Sequence, residues 1–473
     1  MPYAKPRSRA TLLSLLLVSL LLVSACSSNG GKPGTATDAG ADTGADAGPT
    51  LSFAWDWTGV IGTGQSLSVG GGDSGTPLVA KTQLYNNLKL ALNGALVPPF
   101  DPTIDSLSMV PLVEPIRPTD PSYPSAYPGN LDGETPHTAM SEQITKMVMD
   151  AANGHDYITA HTVVGESGQP MSVIKKNGVF PGPFEANTGT GARAYAATLF
   201  EVAAIARLAA AAGKTYGVGA ISLIHGEADA GNINYASDIF QLYSDYNADL
   251  PPLTGQTATI PMLVSQQNSV PSTAGSASIS AVGQWQVGVD HPGDIICVGP
   301  KYQYDYSGDS TRVHLSALEY DELGEKMAQV YYQRVVLGQD WQPLQPINET
   351  VSGNTITLQF HVPVPPLVWD DNMPPPHTSG PWANGRGFEV SAAGPPQTID
   401  SVEIIAPDTV KITCHSDLTG LAVTVAYAIT TDGVAMPKGT FRWGHLKDSD
   451  PFVGSVTNTP QPNWAVAFSK DLF

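Results

Sequence analysis

The chain from about residue 51 to 340 alternates short apolar runs with longer amphipathic ones. WDWTGVIG (55–62), YITAHTVVG (157–165), YGVGAISLIHG (216–226), TIPMLVSQQ (259–267) and DIICVGP (294–300) are short, β-rich and apolar, the signature of buried strands. Between them, TAMSEQITKMVMDAANG (138–154), the alanine-rich 190–213, YASDIFQLYSDYNADL (235–250) and LSALEYDELGEKMAQVYYQRVV (315–336) have helical spacing. Strands and helices taking turns predict a parallel sheet between helices, with ligands bound beyond the carboxyl ends of the strands. Apart from the helix at 138–154, the Pro- and Gly-rich stretch 66–156 reads as long loops around a site.

After about residue 345 the period changes. TVSGNTITLQFHV (350–362), DSVEIIAPDTVKITCHS (400–416) and LAVTVAYAIT (421–430) alternate apolar and polar residues, with turn signals between them and no long helix. This pattern predicts a small β-sandwich. No internal repeat is evident. Four of its tryptophans, Trp369, Trp382, Trp443 and Trp464, suit either core packing or sugar stacking.

The first 50 residues follow another logic. Lys5, Arg7 and Arg9 precede the apolar run 12–25, which ends in LVSAC (22–26). A basic start, an apolar stretch and small residues before Cys26 read as a lipoprotein signal peptide over 1–25, with lipid on Cys26. The alternative is a plain secretory signal cut nearby. Residues 26–50 are polar and of low complexity, and predict a flexible tether. The expected setting is the bacterial cell envelope, lipid-anchored or secreted. The serines at 27 and 28, with no aspartate after the cysteine, favour the outer membrane. The membrane would be met through the N-terminal lipid only.

Composition narrows the partners. The 473-residue chain is 42% hydrophobic, enough for real cores, and carries a formal net charge of −20. Such acidity repels phosphate backbones, so nucleic acid is excluded as a partner. Beyond Cys26 only Cys297 and Cys414 remain, in different halves, and they read as two buried thiols. HTVVGE (161–166) and PPPHTSG (374–380) lack the grouping a metal needs.

Candidate chemistry gathers where strands end. GTGQSLSVGGG (62–72) surrounds Ser66 with glycines, as either a loose turn or a sharp bend presenting a nucleophile. In VVGESGQPMS (163–172), Gly165 or Gly168 could offer a backbone N–H to an oxyanion. LIHGEADAGN (223–232) runs from an apolar strand into His225, Gly226, Glu227 and Asp229, and charge at a strand end is costly unless paired or functional. His314 precedes the last helix, with Asp309 five residues upstream. A serine, an imidazole base and a carboxylate that orients it are the parts of nucleophilic acyl transfer.

GQSLSVG (64–70), HGEADA (225–230) and VHLSALEYDELGEKMA (313–328), in that order, resemble the SGNH/GDSL-type hydrolases, and within them the sialate O-acetylesterase and acetylxylan esterase-like branch. The resemblance spans about 55–340. It implies a flavodoxin-like three-layer α/β/α domain (51–343) ahead of the β-sandwich (344–473), and hydrolysis of O-acetyl esters on carbohydrate without a cofactor. Residue by residue, it implies Ser66, within Gly64–Gln65–Ser66, as nucleophile and His314 as base. It further implies oxyanion N–H groups from Ser66 and Gly168, or Gly165, with 226–229 lining the site. Two positions depart from the family pattern. Thr311 stands where the family has the acid, leaving Asp309 or Glu227 for that role, and His225 replaces an oxyanion-donating Gln. The expectation is thus a carbohydrate O-acetylesterase, with an inactive glycan-binding lipoprotein of the same fold as the rival.

Overall fold

The computed structural model describes residues 51, 53–71, 80–92, 100–116, 133–179 and 193–472. The signal, Cys26 and the tether lie outside them. Residues Pro49–Phe473 form one compact unit.

Seven strands make the first sheet: β1 (Trp57–Gly64), β2 (Leu88–Ala91), β3 (Ser108–Pro111), β4 (Ile158–Gly165), β5 (Tyr216–Ile224), β6 (Met262–Gln266) and β7 (Ile295–Pro300). Their order across the sheet is β3-β2-β4-β1-β5-β6-β7. Every neighbouring pair is parallel except β2–β3. The sheet is therefore mixed, a correction to the parallel sheet expected: β2 and β3 lie in the stretch read as loops, where four-residue strands among prolines leave no clear period. The helices are α1 (Ser66–Val69), α2 (Pro136–Ala151), α3 (Met171–Ile174), α4 (Arg193–Ala211), α5 (Tyr235–Asp249), α6 (Pro251–Thr254), α7 (Ile279–Asp290) and α8 (Ala317–Tyr331), the last continued by a π-helical turn to Val336.

Side-chain alternation along the strands explains the layering. Val60 of β1 packs with Met140 and Ile144 of α2 and Leu323 and Met327 of α8. Its neighbour Ile61 faces the other way, into a core shared with Phe200 and Val202 of α4 and Ile239 and Leu242 of α5. Among the described residues one helix, α4, is long and apolar enough to cross a membrane, yet 61% of its apolar window is buried in this core.

The second half holds antiparallel sheets. β8 (Gln345–Ser352), β9 (Thr355–His361), β12 (Ile399–Ala406) and β13 (Thr409–Cys414) form one, in the order β12-β13-β9-β8. β11 (Phe388–Ala392), β14 (Val423–Tyr427) and β16 (Phe468–Leu472) form another, while β10 (Val368–Trp369) and β15 (Leu446–Lys447) pair separately. Ile356, Leu358 and Phe360 alternate inward from β9 to meet Phe388, Val390, Val425 and Phe468 of the facing sheet. The runs 350–362 and 400–416 each prove to be a hairpin, turning at Gly353–Asn354 and Pro407–Asp408. Cys297 and Cys414 are buried and unpaired.

α7 joins the halves. Its Val287 serves the α/β core, whereas Ala281 and Trp285 enter the core of the β sheets. Trp285 Nε1 donates to Gln345 Oε1 at 2.8 Å, and Gln266 Nε2 donates to Ala467 O at 2.8 Å while its Oε1 accepts from Ala467 N at 2.9 Å. The two halves thus share hydrogen bonds and apolar packing.

Candidate active site

β1 ends against two neighbours, and the ending is built for close approach. Gly64 has φ +141°, and a Cβ there would lie 2.0 Å from Ile224 O. Only glycine fits both that angle and that contact. The next residue, Gln65, donates its backbone N–H to Ile224 O (3.2 Å) and accepts from Ala228 N with its side-chain oxygen (3.3 Å). Ser66 then opens α1, 6% exposed. As the first residue of a helix, its N–H has no carbonyl one turn back to bond. The glycines thus let β1 turn abruptly between β4 and β5.

His314 reaches the same point from the loop before α8. Its Nε2 lies 2.7 Å from Ser66 Oγ, and its Nδ1 hydrogen-bonds Asp309 Oδ2. The loop is held by Asp309 Oδ1, which accepts from Thr311 N (2.8 Å), Thr311 Oγ1 (2.7 Å) and Val313 N (3.3 Å). Arg312 turns the chain back with φ +62°, a left-handed conformation that costs a non-glycine residue. This turn lets an aspartate five positions away meet the imidazole. Burial pushes the Asp309 carboxyl up, but the hydrogen bonds from Thr311, His314 and Val313 outweigh it and hold the group below its ordinary range.

A cavity of about 460 Å³ opens over these groups. After β1 it is lined by Gln65, Ser66 and Gly71; after β4 by Ser167 and Gly168; after β5 by Glu227 and Ala228; after β7 by Val313 and His314. Gly168, at φ +69°, has open space where a side chain would stand.

Four other expected residues stand behind the cavity. Gly165 pairs with Gly64 within the sheet. His225 is fully buried; its Nε2 donates to Gln169 O (2.9 Å) and its Nδ1 accepts from Tyr235 Oη (2.6 Å). Burial holds its pKa down, so it stays neutral with its one N–H already used. That N–H is turned to Gln169 O. Gly226 bends the chain at φ +121° beneath Gln284, and Asp229 accepts from Met171 N at 2.6 Å. These two residues support the lining, and neither forms it.

Two buried ion pairs escaped the sequence reading. Lys301 Nζ lies 3.2 Å from Glu227 Oε1, which commits Glu227 to the lysine while Asp309 is the carboxylate on His314. Burial lowers the Lys301 pKa, opposed by Glu227. Arg193, opening α4, grips Glu166 through Nε (2.5 Å) and Nη2 (3.0 Å) and ties down the loop after β4. Partners 74 and 27 positions apart leave no spacing signal. Among the described residues no group of three His, Cys, Asp or Glu is arranged to hold a metal.

No family model matches the chain, and no curated protein does. Among solved structures, a carbohydrate acetylesterase from Xanthomonas citri aligns over 88% of this chain and 81% of its own, at 11% identity and TM-score 0.49. NanS aligns over 59% and 97% respectively, at 11% identity and TM-score 0.36. A carbohydrate acetylesterase from Sinorhizobium meliloti aligns over 57% and 97%, at 11% and 0.27. At these scores the chain is weakly similar in structure to carbohydrate acetylesterases, a likeness too loose to assign any residue a role.

Proposed function

We propose that the protein is a serine esterase that removes O-acetyl or similar short acyl groups from carbohydrate. The single observation that carries the reading is the imidazole of His314 bridging Ser66 Oγ and Asp309 at the floor of a cavity. Ser66 attacks the ester carbonyl as His314 Nε2 takes its proton. Asp309, acceptor for Nδ1–H, holds that tautomer and stabilises the imidazolium. The N–H groups of Ser66 and Gly168 receive the oxyanion. His314 returns the proton to the leaving alcohol, and water, activated by the same imidazole, clears the acyl group. No cofactor enters these steps.

The architecture is read in the same terms. The order β4-β1-β5-β6-β7, renumbered along the chain, is 2-1-3-4-5, which supports a flavodoxin-like domain over 51–343 with the site at its switch point. Residues 344–473 are read as an accessory β-sandwich. The chain is placed in the cell envelope through lipid on Cys26.

The test is turnover of p-nitrophenyl acetate by the soluble chain from residue 51. Wild type should hydrolyse it, and Ser66→Ala should lose more than about 10⁴-fold in kcat. Absence of turnover in both proteins favours the rival reading, a binding protein on an esterase-like fold.

A further inference from the structure

A second cavity, of about 480 Å³, lies where the loop after β7 and the helix α8 meet the 447–464 segment of the β half. Its wall includes Trp464, half-buried and held on edge against Tyr302 with ring centroids 5.9 Å apart. Lys447 Nζ sits 5.1 Å from the Trp464 ring centroid and 2.6 Å from Asp370 Oδ2. The carboxylates on this wall are already engaged. Asp448 accepts from Val364 N and Asn463 N, and Asp450 from Phe452 N and Gln329 Nε2. Glu322, raised to about 7 mainly by burial, is half neutral at that pH. Lys326, lowered to about 8 by burial, lies 3.9 Å from Asp450 Oδ2, and Lys447 pairs with Asp370, so most of the charge on this wall is paired within it.

Beside these paired charges stands the Trp464 ring, with the neutral side chains of Gln303, Thr459 and Gln461 on the same wall. Gln303 Nε2 donates to Pro300 O (3.0 Å), yet its Oε1, buried at the wall, accepts no hydrogen bond, and neither does Gln461 Oε1. A buried acceptor without a donor is costly. A hydroxyl entering the cavity, with a small rotation of either amide, would satisfy it. A rigid aromatic platform beside unfilled acceptors and compensated charge suits a neutral, multiply hydroxylated ring.

The position adds to this. Gln303 and Tyr304 begin the loop that goes on to Asp309 and His314, so both cavities open beside one loop. β7 lies three strands from β1, about 14 Å at the usual strand spacing. We infer that this junction cavity is a subsite for a neutral oligosaccharide, stacking one sugar on Trp464 while another stretch of the same chain reaches Ser66. The second half of that statement rests on the esterase reading; the first does not.

The test is calorimetric titration of the full-length protein carrying Ser66→Ala with xylohexaose, cellohexaose and mannohexaose at millimolar concentration. At least one should bind, and adding Trp464→Ala should weaken it about tenfold, or about 1.4 kcal/mol. With Ser66 intact, Trp464→Ala should leave p-nitrophenyl acetate turnover unchanged and raise KM for the acetylated form of the bound oligosaccharide. Should Trp464→Ala lower the melting temperature, Gln303→Met, which removes the unfilled acceptor together with the N–H donated to Pro300 O, should still weaken binding. No binding of any of the three, or equal binding by both variants, overturns the subsite. Binding without ester turnover keeps the subsite and removes the esterase.

Discussion

At the residue scale, the informative contrast is between two carboxylates near one imidazole. Asp309 hydrogen-bonds His314, whereas Glu227 is 3.2 Å from a lysine with no exposure of its own. If orientation of the imidazole is what the reaction needs, Asp309→Asn should lower kcat by about 10⁴-fold with KM little changed. Glu227→Gln should act through Lys301 instead, leaving that buried ammonium unpaired and costing stability of about 3–5 kcal/mol. Steady-state kinetics beside thermal unfolding separates the two. A normal rate for Asp309→Asn with a collapsed rate for stably folded Glu227→Gln would reverse the assignment.

At the scale of elements, a loop rather than a helix sets the geometry. The segment 305–316 has to bring His314 back over β1, and it does so with Arg312 in a left-handed turn and Asp309 gathering three donors from Thr311 and Val313. A β-branched residue is poorly suited to that turn. Arg312→Val should cost about 1–2 kcal/mol in the loop and lower kcat by loosening His314, while Arg312→Gly should retain activity. Equal rates for the two variants would show that the turn does not position the base. Periodicity misled in this class of feature. α7 (Ile279–Asp290) went unseen because valine, isoleucine and glycine are weak helix formers, and its stability comes from burying Ala281 and Trp285 against the β half.

At the scale of the whole molecule, the packing of α2 against α8 encloses carboxylates that water does not reach. Burial, aided by mutual repulsion with Glu134 and other acids, pushes Glu114 and Asp321 well above the ordinary carboxylate range, and Asp321 has no hydrogen-bond partner among the described residues. These groups keep protons in the folded state that the unfolded chain releases near pH 4. Through these groups the native state binds more protons, which lowers stability as pH rises, while His137, His161 and His225, kept neutral by burial, act in the opposite sense until the unfolded chain's histidines lose their protons near pH 6.5. Lys326, lowered to about 8 by burial, acts in the opposite sense only above that pH. The melting temperature should therefore drop between pH 7 and 8, above the range of the unfolded histidines, and Asp321→Asn, which has no proton to lose there, should flatten the drop. A melting temperature that rises over this interval would refute the account.

What the chain reveals by itself is whatever depends on neighbours in sequence. Alternation marked β9 and β13 because each inward residue has polar flanks, and the strand-to-turn glycines marked Ser66 because the bend needs them within two residues. The tertiary structure decided which carboxylate touches His314, that His225 turns its N–H to Gln169 and away from the cavity, and that Arg193 grips Glu166. It also decided how tightly the β half joins the sheet through Gln266 and Trp285. Side-chain partners tens or hundreds of positions apart are selected by packing and desolvation, which act across space and leave no period along the chain.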